Sequence, residues 1–103
     1  MVERIALIKL KPEHANAEER ARIVERALGE LAAIPGVASL TAGTPADAAS
    51  EASWDVIVTA RCASLADLES YRSHPAHRRF VDEFLVPRSD VRKAWNFVVG
   101  GGA

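Results

Sequence analysis

A tyrosine, two histidines and a proline fall within one short run, Tyr71-Arg-Ser-His74-Pro75-Ala-His77, which holds the chain's only tyrosine and two of its three histidines. An imidazole ionises near neutral pH and can take a proton from a carbon beside a carbonyl, while a phenol can donate a hydrogen bond to the enolate oxygen that results. That chemistry requires both side chains to face one space. Pro75 disfavours α geometry at His74 and suits a first helical position, so the pattern predicts one helix ending and another starting there, with His74 near the N-cap. His77, Phe80, Val81 and Phe84 recur at the spacing of an inward helical face, and Leu65, Leu68 and Tyr71 recur at steps of three. Both stripes point at the core, so His77 and Tyr71 are expected to converge. The structural alternative makes His77 a core histidine bonded to a backbone carbonyl and Tyr71 an amphipathic wedge. An open cavity at His77 distinguishes the two.

The other chemistry-bearing residues are sparse. His74 suits capping and fixing the angle between the two helices. A metal site would need His74 and His77 completed by His14 or a carboxylate, and His-x-x-His lacks a convincing third ligand, so no metal is expected. Cys62 is alone and reads as a small buried hydrophobe at the end of a strand. Arg4 is either a solvated strand-end charge or, facing a cavity, an anchor for a carboxylate or phenolate. Trp54 and Trp95 read as wall and core residues.

The elements that must position these groups are legible along the chain. Val2 to Lys11 alternates Arg4, Ala6, Ile8 and Leu10 against Glu3, Ile5, Leu7 and Lys9, a strand covered on both faces. Pro12 ends it, and Asn16 or a near neighbour caps a helix to about Ile34. Ile23, Val24, Ala27, Leu28, Leu31 and Ile34 form its inward stripe, while Glu18, Glu19, Arg20, Arg22, Glu25, Arg26 and Glu30 form its solvated face. Pro35-Gly36 breaks the chain before a short strand from Val37 to Gly43, and Thr44 to Ser53 reads as a mobile loop. A second long strand runs from Trp54 to Cys62. Ser64 to Asp67 has capping-box spacing and starts the helix that ends at Tyr71. The helix opened by Pro75 continues to about Leu85 and is closed by Pro87, and Val91 to Val99 forms a last strand. Residues 1–99 thus read as one domain, followed by a fraying Gly-rich tail, 100–103.

This order predicts an α+β, ferredoxin-like fold: a four-stranded antiparallel sheet with helices on one face. Ile5, Leu7 and Ile57 on the other face call for a partner sheet, so a homodimer forming a dimeric α+β barrel is expected. A net charge of −1 with scattered cations offers no nucleic-acid footprint and no polybasic membrane patch. No apolar run reaches membrane-spanning length, and the N-terminus has no charged-then-apolar leader, so the expected setting is cytoplasmic.

With these elements placed, the chain resembles the stress-responsive A/B barrel (Dabb) family over residues 1–99. The features that carry the resemblance are Lys9-Leu10-Lys11, the Ile34-Pro35-Gly36-Val37 break, Gly43, the second long strand and, above all, Tyr71-x-x-His74-Pro75-x-His77. The family includes a plant polyketide cyclase working without metal or organic cofactor, and its catalytic Tyr and His match Tyr71 and His77. The resemblance implies no cofactor here. Where that cyclase has histidines this chain has Arg4 and Val56, which implies a different substrate, and the family's Asp in the last strand is matched by Asn96.

The leading expectation is a dimer with an interior apolar pocket that binds, and cyclises or isomerises, an aromatic or polyketide-like compound. Tyr71 and His77 would be catalytic, with Ile8, Val56 and Val58 as one wall and Arg4 near the rim. The alternatives are a noncatalytic stress-response or scaffold protein whose cavity is packed shut, and a cofactor-independent monooxygenase of the wider dimeric barrel superfamily.

Overall fold

The first strand, β1 (Val2–Leu10), is the element on which the sheet is laid. It pairs antiparallel with β3 (Val56–Cys62) on one side and with β4 (Ser89–Val98) on the other, and β2 (Val37–Gly43) adds to the far edge of β3. The order is β2-β3-β1-β4, the ferredoxin-like arrangement expected from the sequence. The chain's structure is a computed structural model in which residues 1–100 are described. Of the expected tail, residues 101–103 lie outside the described residues.

Each main helix begins where a short polar side chain can satisfy an unpaired backbone N–H. The Asn16 carboxamide oxygen accepts from the Glu19 N–H at 2.9 Å and opens α1 (Ala17–Leu31). Ser64 Oγ accepts from the Asp67 N–H at 3.2 Å and opens α3 (Leu65–Ser73). Between β2 and β3, where a mobile loop was expected, Asp47 accepts from the Ser50 N–H at 2.8 Å and opens a short helix, α2 (Ala48–Ser53). No apolar stripe marks α2 because none of its residues is buried. It is held by its cap and by Lys9 Nζ, which donates to the Ala52 carbonyl.

Helices α1 and α3 lie on one face of the sheet, α1 against β2 and β3, and α3 against β3, β1 and β2. The core between the layers contains Ile8, Leu10, Ile23, Ala27, Leu31, Ile34, Val56, Val58, Ala60, Cys62 and Leu68. Two residues assigned to inward stripes point outward instead: Leu28 is 44% and Leu65 55% exposed. Leu65 stands at the first position of α3, before the helix has turned onto the sheet.

Arg20, assigned to the solvated face of α1, reaches back to the end of the sheet. Its Nε and Nη2 both donate to Asp55 Oδ1, at 3.0 and 2.8 Å, and the Leu10 N–H donates to Asp55 Oδ2 at 2.7 Å. Asp55 is 1% exposed, so this is an interior ion pair whose anion is also tied to the backbone of β1.

From Pro75 the chain runs through α4 (Pro75–Arg79), a π-helical stretch (Phe80–Leu85) and α5 (Val86–Arg88) without leaving helical geometry. Pro87 therefore does not close the helix before itself; it lies inside α5, and β4 begins at Ser89. The Val86 N–H bonds back to the Val81 carbonyl, the five-residue step of a π turn. The stretch buries Phe80, Phe84 and Leu85 together, and the guanidinium groups of Arg26 and Arg88 lie over the Phe84 ring, 4.0 and 4.1 Å from its centroid.

The opposite face of the sheet has no helical cover. Trp95 and Phe97 were assigned to one side of the last strand, with Trp95 read as wall or core; they stand on this bare face, 45% and 51% exposed. Trp95 is in register with Ile5, and Lys93 with Leu7, which leaves Ile5 and Leu7 half-buried rather than fully open. Among the described residues no helix is long and apolar enough to cross a membrane.

Candidate functional site

The break between α3 and α4 is made by His74. Its backbone is extended, at φ −62° and ψ 138°, as the residue before proline prefers, and its N–H returns to the Tyr71 carbonyl at the end of α3. Its Nδ1 accepts from the Ala76 N–H at 3.0 Å, which caps α4. His74 thus has the capping position read from the sequence. The turn it makes brings the following histidine back against the last turn of α3.

There the ring centroids of Tyr71 and His77 are 4.6 Å apart, with the planes tilted by 57°. His77 Nδ1 lies 3.0 Å from the Arg72 carbonyl oxygen. A carbonyl only accepts, so Nδ1 carries the hydrogen, and in the neutral ring the lone pair is on Nε2. The hydrogen bond of the core-histidine alternative is present, but the ring is half-buried rather than enclosed. It forms part of the wall of a cavity of about 330 Å³, which Tyr71 also lines.

The cavity lies over the β1–β4 half of the sheet, which α1 leaves free because it packs on β2 and β3. Ala6, Ile8 and Val58 make the sheet side, with Phe80, Val81 and Leu85 opposite. Arg4 also lines it. Val56 does not. It sits near the start of β3 opposite Ile8, where it is buried in the core and borders instead a second hollow of about 560 Å³ beside α2.

Burial sets the ionisation of the pair. Removal from water lowers the His77 pKa below its ordinary 6.5, aided by the nearby charges of Arg4, Arg72 and Arg78 and opposed by the bond to the Arg72 carbonyl. Burial pushes the Tyr71 phenol up to about 12, against the pull of Arg4. The imidazole is therefore held as a neutral base and the phenol as a protonated donor. The Cys62 thiol is also pushed up by burial, which disfavours the thiolate.

Arg4 is in register with Asn96 across the β1–β4 pair, and its Nη1 donates to the Asn96 carboxamide oxygen at 3.0 Å. Arg72, Arg78 and Arg92 also border the cavity and were not singled out from the sequence. Arg92 had a readable signal: alternation along β4 gives it the parity of Ala94 and Asn96, the side facing the helices. Arg72 and Arg78 had none, since only the turn at His74 brings their part of the helices to the cavity. Among the described residues, no three His, Cys, Asp or Glu side chains come together as a metal-ligand set.

The stress-responsive A/B barrel domain model matches residues 2–99, nearly the whole chain. The chain belongs to the Dabb family. Among the solved structures that share its fold are the following three. A Dabb family protein with a ferredoxin-like fold from Mesorhizobium loti is 22% identical, with 97% of each chain covered and a TM-score of 0.79. A dimeric ferredoxin-like protein of unknown function from Thermobifida fusca is 25% identical over 95% of this Dabb chain and 90% of its own, with a TM-score of 0.77. Hydroxynitrile lyase from Passiflora edulis is 19% identical over 99% and 95%, with a TM-score of 0.73. No curated protein matches the sequence.

Proposed function

We propose that this Dabb protein is an enzyme that abstracts a proton beside a carbonyl in an aromatic or polyketide-like compound, so as to cyclise or isomerise it, with His77 as general base and Tyr71 as hydrogen-bond donor. The observation that carries this reading is the tautomer and place of His77. Its Nδ1 is committed to the Arg72 carbonyl, which leaves Nε2 as the basic atom of a ring on the cavity wall, 4.6 Å from the Tyr71 ring. In a cyclisation, Nε2 takes the proton and the enolate oxygen accepts a hydrogen bond from the phenol. The enolate carbon then bonds to a second carbonyl of the same molecule, and the alkoxide formed there recovers the proton from the imidazolium. The balance closes without oxidant or reductant, and the reading calls for no bound metal or organic cofactor. Ile8 and Val58 serve as substrate-contacting wall and Arg4 as a polar contact.

The cavity volume is within the usual range of small-molecule sites and supports this reading over a scaffold packed shut. The working unit is taken to be a homodimer through the bare sheet face, where Ile57, Val91, Trp95 and Phe97 are exposed, in keeping with the dimeric relative from Thermobifida fusca.

The test is a screen of polyketide-like β-dicarbonyl compounds and phenolic ketones by thermal shift, followed by turnover of the binders under anaerobic conditions. A compound converted by the wild type and at least about 10²-fold more slowly by His77→Ala supports the reading. Turnover that requires oxygen would point to the monooxygenase alternative. Turnover unchanged in His77→Ala would remove His77 from the chemistry.

A further inference from the structure

The cavity that houses Tyr71 and His77 has an unbalanced electrostatic lining. Arg4, Arg72, Arg78 and Arg92 border it, against a single acid, Asp82, whereas Lys93 has the parity of Leu7 and Trp95 on the bare face. Asp82 is already matched, since its Oδ2 lies 3.4 Å from Arg78 Nη2. Arg72 is matched as well, with Nη1 donating to Glu69 Oε2 at 2.9 Å, and Arg92 donates to Ser89 Oγ at 2.7 Å. Arg4 differs. Its hydrogen bond goes to the neutral carboxamide of Asn96, and no carboxylate lies within ion-pair distance of it among the described residues. It is half-buried, its pKa is lowered first by burial and then by the charge of Arg72, and Glu69, the acid that acts on it, is engaged with Arg72. A half-buried guanidinium beside a like charge gains from pairing with an anion. One of its five N–H donors is used, and the planar fork suits a carboxylate that accepts two hydrogen bonds side by side.

Resting on the reading that this cavity is the active site, we propose that its ligand carries a carboxylate bound by Arg4, with the remainder of the molecule lying over Ala6, Ile8 and Val58 toward His77. The site then selects aromatic or polyketide-like acids over their neutral amides and over amines, and Arg4 is a specificity-determining residue. A carboxylate at Arg4 turns the unmatched cation into a binding contact and fixes which end of the ligand faces the base. Asn96 is part of the device: as an amide it orients Arg4 without neutralising it, whereas an aspartate there would supply an internal counter-ion and compete with the ligand.

The probes are a panel of aromatic acids (benzoate, salicylate, 1-naphthoate and 3-oxo-3-phenylpropanoate), the matching carboxamides and benzylamine, and inorganic phosphate, titrated into the full chain by calorimetry with chemical-shift mapping. At least one acid is expected to bind and to shift the Tyr71, His77 and Arg4 signals, with its carboxamide about tenfold or more weaker, the scale of one lost charge-assisted contact. Arg4→Gln should weaken the acid to the level of the amide and leave the amide unchanged. Asn96→Asp, which retains Arg4, should weaken the acid about tenfold, which guards against a fold defect in the Arg4 variant. His77→Ala should leave acid binding intact, so the anion contact and the catalytic reading fail separately. Equal binding of acid and amide, insensitive to both variants, would overturn the carboxylate proposal while sparing the catalytic reading. Phosphate binding tighter than every acid would overturn it too, by assigning Arg4 to a phosphoryl group. Binding of no member would overturn both.

Discussion

His77 donates through Nδ1 to the Arg72 carbonyl, a residue on the preceding helix, so the orientation of the imidazole is set by the turn at His74-Pro75 and not by its own helix alone. The ring is thereby held as part of the cavity wall that Tyr71 shares. Loosening the turn should loosen the base. His74→Ala removes the cap on the Ala76 N–H and is expected to cost about 1 kcal/mol of stability, together with a loss of turnover larger than that stability change explains. Urea unfolding beside steady-state kinetics on a converted compound checks both parts; unchanged turnover would show that the cap does not tune the base.

Ionisation of the pair gives a pH signature. Because folding lowers the His77 pKa, the neutral ring is favoured in the fold and the unfolded chain binds more protons in mildly acidic solution. The sign is that stability holds above pH 6.5 and declines as pH falls from there through the lower folded value. His77→Gln should flatten that decline, as read from melting temperatures between neutral pH and about pH 5. The acid limb of the pH–rate profile should likewise lie below 6.5. With Tyr71 at about 12, no alkaline limb from the phenol is expected in the ordinary working range.

The Asp55–Arg20 pair predicts an asymmetric response. Arg20→Met leaves a 1%-exposed carboxylate with only the Leu10 N–H as hydrogen-bond donor and should destabilise by about 3–5 kcal/mol. Combining it with Asp55→Asn removes the stranded charge and should recover part of the loss. Chemical denaturation of the two variants tests this, and equal destabilisation would mean that the charge is not what makes the single change costly.

The bare sheet face predicts self-association. Trp95 and Phe97 present large apolar groups in line with Ile5 and Glu3, and a lysine at position 95 would bury an unpaired charge in any interface built there. Sedimentation should give a dimer at tens of micromolar for the wild type and a monomer for Trp95→Lys, with Ile57→Lys weakened in the same direction. A monomeric wild type would sink the idea.

Gly36 carries the only positive φ among the described residues, 90°, and a Cβ there would come within 3.4 Å of the Asp67 side chain. Gly36→Ala should therefore cost about 1–2 kcal/mol through backbone strain. A circular-dichroism melt of the variant reads this directly.

The local signals in the sequence carried the fold well. The caps at Asn16, Ser64 and His74, the alternation of β1 and the Pro35-Gly36 break each rest on chemistry within a few residues, and each element formed where that chemistry put it. What depended on distant partners was not legible. Arg20 reads as one more charge on a solvated helix until the fold brings Asp55, 35 positions away, beneath it. Trp95 has the sequence signature of either face, because the two faces of β4 both carry apolar residues. Val56 has the parity of Val58, which lines the cavity, but it stands two residues away along β3 at the end beside α2 and is buried in the core, and alternation cannot express where along a strand a cavity stops. That Tyr71 and His77 lie side by side is legible because helical phase and the His-Pro turn are both local; the cations around them belong to three separate segments.

The position of β1 in the sheet bears on how the molecule comes to be folded. The strand made first ends up flanked by β3 and β4, so its two edges wait for residues about 50 and 90 positions later. Such non-local pairings make folding slow relative to helical proteins of this size. Until β4 arrives, one edge of β1 is open and the cavity lacks the wall that contains Arg92 and Ala94. Ligand binding should therefore appear only with the final folding phase, and a chain interrupted before Ser89 should offer an unpaired β1 edge as a template for aggregation.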